Sequence, residues 1–200
     1  ASKAGEHDMA DPIQDYEQVS IYGLDPEDQE NLLSHGRECV FNWSTKDGWP
    51  IGVIMSFLWK DGRFWMTAGA HRHRISAVRR DPRVSVVVTS TGSKMGPGKT
   101  ATAKGRCIIH EDRETKDWFY PEFSRHLNGD TPAAEAFEKR LDSPIRVILE
   151  IVPEKWITFD GAKMASDAAG TLDESDKTPM QGADTERLPR ELKARGIESH

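Results

Sequence analysis

The stretch FWMTAGAHRHRISAVRRDPRVSVVV, Phe64–Val88, decides how this chain reads. RFWMTA (63–68) is strand-like, and RVSVVVTS (83–90), with its β-branched valines, is a second strand. Between them ISAVRR (75–80) reads as a helix that ends at Asp81-Pro82, because the residue before a proline is pushed out of the helical region. Residues 67–82 hold Arg72, Arg74, Arg79, Arg80, His71 and His73 against the single acid Asp81. Such charges repel unless water or an anion separates them. Arg72 and Arg74 fall at the N-terminus of the short helix, where the macrodipole is positive and each cation is mismatched by about 0.3–1 kcal/mol. One reading is a phosphate site built from guanidinium forks, exposed backbone N–H groups and the Thr67 hydroxyl. The other is a solvated basic helix.

The flanking sequence has a β-rich pattern. LDPEDQENLLSHG (24–36) reads as a short helix with Asp25 at the N-cap, Pro26 at the first turn and Gly36 as its stop. ECVFNWST (38–45) reads as a strand, and WPIGVIMSFLWK (49–60) as an apolar strand buried on both faces. Asp61-Gly62 marks a tight hairpin. ATAKGRCIIHED (101–112), IRVILEIV (145–152) and EKWITFD (154–160) are further strands, and 113–128 and 131–141 are helical. The sum is an α+β, β-rich domain: about six or seven antiparallel strands in a split barrel with short peripheral helices.

Composition sets the boundaries. All six tryptophans lie between Trp43 and Trp156, and no aromatic residue follows Phe159. We read 1–20 as a flexible N-terminal segment, 21–160 as the cofactor-binding barrel domain, and 161–200 as a mostly disordered or loosely packed tail. The net charge of −6 argues against nucleic-acid binding. No apolar run reaches the roughly 18 residues of a membrane span. Cys39 and Cys107 form no CxxC pair, which suits a reducing cytoplasm.

The order helix, strand, KDGWP, apolar strand, DGRFWMT, basic segment, RRDPRVSVVV and TAKGRCII resembles the pyridoxamine 5′-phosphate oxidase-like, flavin-binding split-barrel family over about residues 25–160. PEKWITFDGAKM (153–164) adds to the likeness. The resemblance implies a flavin-dependent oxidoreductase that binds FMN through its phosphate at a homodimer interface and acts on a small organic molecule. It implies that Thr67, Arg72, His73 and Arg74 hold the phosphate, and that Met55, Ser56 and Phe57 lie along the ring system. The Arg and Lys of the oxidase's apolar strand are missing here, and His71-Arg72-His73-Arg74 replaces its Ser-x-Lys. Those departures count against vitamin B6 oxidation. They leave FMN, the deazaflavin F420, or a non-catalytic flavin- or haem-binding module open.

Hydride chemistry belongs to the cofactor and needs no side-chain nucleophile. A proton donor would come from His71, Tyr120 or His110. Trp118, Phe119, Tyr120 and Phe123 read as core packing, or as a wall for a substrate. TSTGSKMGPGKT (89–100) imitates a phosphate-binding loop but has one residue too many and precedes a strand, so it reads as a flexible loop. His71 and His73 with His110 make a weak metal signal, and we expect no metal.

Overall fold

The computed structural model describes residues 17–197, which separate into two compact units, residues 24–158 and the described chain ends, 17–23 with 159–197. The larger unit opens with a helix, Pro26–His35 (α1), whose proline occupies the first turn and whose Leu32 and Leu33 are buried. Seven strands follow: Glu38–Ser44 (β1), Pro50–Ser56 (β2), Leu58–Lys60 (β3), Arg63–Gly69 (β4), Arg83–Thr89 (β5), Lys99–His110 (β6) and Arg146–Asp160 (β7). They form one curled antiparallel sheet in the order β2-β1-β5-β6-β7-β4-β3, a half-barrel. The α+β split-barrel expectation holds.

Alternation along the strands places one face in the barrel. Phe41, Phe64, Met66, Val86, Ala101, Ala103, Leu149 and Ile151 join a single apolar cluster at its centre. Each fully buried Val, Leu, Ile, Phe or Met among them contributes about 1.5–3 kcal/mol. Against the outer face of β4 and β7 pack two helices, Arg113–Asn128 (α3) and Pro132–Leu141 (α4). Phe119, Tyr120, Phe123, Leu141, Ile148 and Leu58 make a second, smaller cluster there. The aromatic run of α3 is therefore packing, as its helical spacing implies.

Two local expectations change. The apolar stretch 49–60 is not one strand buried on both faces. It breaks at Phe57, whose ring enters the core, and yields β2 and β3 at opposite ends of the sheet order. Ile54 is 64% exposed as a result. Residues 145–160, read as two strands, run as one, with Pro153 inside it. The Asp61-Gly62 hairpin is as expected, with both residues at positive φ (53° and 73°). Residues 90–98 turn directly into β6, with no helix to cradle phosphates.

The smaller unit holds a 3₁₀ turn, Val19–Ile21, a helix, Gly161–Ala168 (α5), a π-helical turn, Ala183–Arg187, and a last helix, Leu188–Ala194. The Tyr22 hydroxyl donates to Asp167 at 2.6 Å, and Lys177 pairs with the same carboxylate at 3.0 Å. The sequence expects little order past residue 160, yet these contacts tie 161–184 to residues 20–23. The expected flexible N-terminal segment lies outside the described residues except for 17–20. Among the described residues, no helix is long and apolar enough to cross a membrane.

Candidate functional site

The helix His73–Arg80 (α2) ends where the sequence places it but starts two residues earlier than the expected 75–80, with Arg72 as its N-cap in extended geometry. β4 delivers the chain to that point. Met66 and Ala68 face the barrel core, so Thr67 between them faces outward. Across the ladder Thr67 pairs with Ile148 and Gly69 with Arg146. These placements surround a cavity of about 190 Å³ lined by Thr67, His71, Arg72, Arg74, Ser143 and Arg146, among others.

The electrostatics are those of an anion site. Three arginines line the cavity, and among the described residues none pairs with a carboxylate. The Nε atoms of Arg74 and Arg146 are buried with no hydrogen-bond partner. An unpaired buried guanidinium N–H carries a desolvation penalty that a phosphate oxygen would remove. Burial, and then the neighbouring Arg72 charge, pull the Arg74 pKa below its ordinary value. An anion bound between them would offset this downward pull by favouring the charged guanidinium.

The neutral groups are arranged around this core. Thr67 Oγ1 donates to the Val147 carbonyl at 2.9 Å, so its single proton is committed. The His71 ring lies over Gly69, 2.7 Å from where a Cβ would stand, so a side chain there would displace the ring. Tyr120 is 1% exposed, and its hydroxyl lies beside Thr67 without closing a hydrogen bond. Burial raises its pKa, so it keeps its proton.

Thus Thr67, His71, Arg72 and Arg74 come together. His73 does not: it is exposed at the first turn of α2 and faces away from the cavity lining. Met55 and Phe57 are buried in the barrel core and Ser56 is half-buried beside them; none lines the cavity. His110 lies elsewhere, its Nε2 2.6 Å from the buried carboxylate of Glu150, which also binds Arg63. No group of three His, Cys, Asp or Glu side chains among the described residues could hold a metal. Sequence reasoning missed Ser143 and Arg146. The one available signal was a charged residue at the head of an otherwise apolar strand.

The family model for pyridoxamine 5′-phosphate oxidase matches residues 26–160. The chain belongs to this family. No curated protein matches it in sequence. Several solved structures share its fold. A conserved hypothetical protein from Mycobacterium tuberculosis aligns with TM-score 0.62 at 19% identity, over 72% of this chain and 89% of that one. An F420 reductase aligns with TM-score 0.51 at 20% identity, over 64% and 94%. An FAD-binding protein from Mesorhizobium loti gives TM-score 0.51 at 22% identity, over 68% and 94%. At these identities the likeness to the pyridoxamine 5′-phosphate oxidase-like proteins is one of fold.

Proposed function

We propose that this protein is a flavin-dependent oxidoreductase that binds FMN through its phosphate and passes a hydride to or from a small organic substrate. The carrying observation is that Arg74 and Arg146, which both line one small cavity, each have a buried Nε with no hydrogen-bond partner. A phosphate monoester offers three acceptor oxygens and up to two charges to these donors. FMN supplies the hydride chemistry when bound. The protein's own groups grip the phosphate, and the His71 imidazole, held over Gly69 at the cavity wall, is the placed proton donor.

The cavity bears on assembly as well. At about 190 Å³ it falls short of the roughly 300–1,000 Å³ that enclose a whole cofactor-sized ligand. It fits the phosphate end, and the ring system must lie against another surface. A second copy of the chain supplies one. Ile54, Val40 and Val87 stand directly opposite one another across β2, β1 and β5 on the outer sheet face. The exposure of Ile54 and of Trp49 (67%) marks an apolar surface suited to a partner. A homodimer with the cofactor between subunits satisfies both observations. F420 is the second reading, favoured by the fold shared with an F420 reductase.

The test is reconstitution. Purified protein is incubated with FMN and with F420, freed of excess, and followed by absorbance during anaerobic reduction and reoxidation. A bound chromophore that cycles supports the reading, and which one binds decides between the cofactors. Retention of neither would overturn it.

A further inference from the structure

The basic stretch between Phe64 and Val88 has a second half. Arg80 and Arg83 leave the Thr67 cavity behind and line, with Lys46, Ser44, Asp81 and Arg106, an open groove of about 800 Å³ that shares no residue with it. Four cations line the groove against the single carboxylate of Asp81.

Two features set this groove apart from a solvated charged face. Arg83 and Arg106 are direct cross-strand partners in the β5–β6 ladder. Like charges so placed, with Cβ atoms about 4.5–5.5 Å apart, destabilise a sheet. Each guanidinium is also tethered. Asp81 accepts from Arg83 Nε at 2.9 Å and Nη2 at 2.6 Å, Glu154 from Arg106 Nε at 2.9 Å, and the Ser44 carbonyl from Arg80 Nη2 at 2.6 Å. A guanidinium has five N–H donors, so each keeps donors free. Lys46 is exposed and has no ion-pair partner among the described residues. Asp81 and Glu154 thus hold Arg83 and Arg106, and the Ser44 carbonyl holds Arg80, without saturating them. A fixed fork is what bidentate binding of phosphate or carboxylate oxygens requires.

We propose that this groove is a second anion site, which takes a small ligand carrying several adjacent anionic oxygens. Its volume lies within the range of small-molecule sites. The net charge of −6 disfavours a long polyanion, whose far segments would meet the acidic remainder of the surface.

Calorimetry at low ionic strength tests this, with inorganic tripolyphosphate and citrate as separate probes of the full chain. Measured in the Arg74→Ala background, which removes the competing Thr67 cavity, saturable binding should be weakened about tenfold by Arg106→Ala and by at least about threefold by Lys46→Ala. Lys46 makes no ion pair among the described residues, so its variant tests the site even if Arg106→Ala disturbs β6. Response to tripolyphosphate alone assigns the oxygens to phosphate, and response to citrate alone to carboxylate. Binding left undiminished by either groove variant, or absent from the Arg74→Ala background, overturns the site. Loss of flavin binding with the Arg106-dependent event intact would count against the proposed function and leave this site standing.

Discussion

Gly69 stands opposite Arg146 across the β4–β7 ladder. That pairing brings a guanidinium from the head of β7 beside Arg72 and Arg74 at the start of α2, and it completes a cavity with three arginines and no carboxylate. The site therefore depends on sheet register, because a one-residue slip would turn Arg146 to the other face.

Arg74→Ala and Arg146→Ala should each weaken FMN binding by about 1.5–3 kcal/mol, the range for a hydrogen bond to a charged group. Arg74→Lys should recover only part of the loss, since an ammonium lacks the planar fork. His73→Ala should leave affinity unchanged, because that side chain is exposed outside the cavity. Titration by quenching of flavin fluorescence reads all four. Equal losses for His73→Ala and Arg74→Ala would mean that general charge attracts the ligand and that the cavity does not.

Tyr120→Phe should leave stability unchanged or raise it slightly, by up to ~1 kcal/mol. The hydroxyl it removes is buried without a partner, and such a group costs desolvation with no bond in return. Urea denaturation decides the point. A clear loss of stability would show that the hydroxyl does bond Thr67.

Gly105→Ala should destabilise the barrel by about 1–3 kcal/mol. A Cβ there would stand 2.2 Å from the Val152 carbonyl oxygen, and backbone cannot step aside as a side-chain tip can. Thermal unfolding of the variant would show the effect, and an unchanged midpoint would mean that β6 and β7 approach less closely.

Burial pushes both the Cys39 and Cys107 thiols up to about 12. A folded-state pKa above the unfolded value of about 8.5 means that the native form keeps its proton while the unfolded form loses it. The contribution to stability is whole below pH ~8.5 and falls as pH rises toward 12. Neither thiol should react with an aromatic disulfide reagent at pH 8 until the chain unfolds. Fast native labelling would place at least one of them at the surface.

Much of this was legible in the sequence, and the rest was not, for particular reasons. Phe64–Val88 carries its own punctuation, with a strand, a helix ended by Asp81-Pro82 and a valine-rich strand, because turn and proline chemistry act over a few residues. Asp61-Gly62 announced its hairpin in the same way. The 49–60 stretch misled because apolar content does not say which faces are covered. The break at Phe57 depends on a ring seated among residues distant in sequence. Arg146 was invisible as a site residue because its meaning lies in its ladder partner.

By itself the sequence determined the β-rich class and the basic segment, since these follow from local periodicity, turn residues and charge. Only the tertiary structure decided how that segment divides: Arg72 and Arg74 join Arg146 at one cavity, while Arg80 and Arg83 join Arg106 at a groove apart from it. The physical reason is that α2 turns successive side chains to different sides, and the strands they then meet are chosen by long-range pairing.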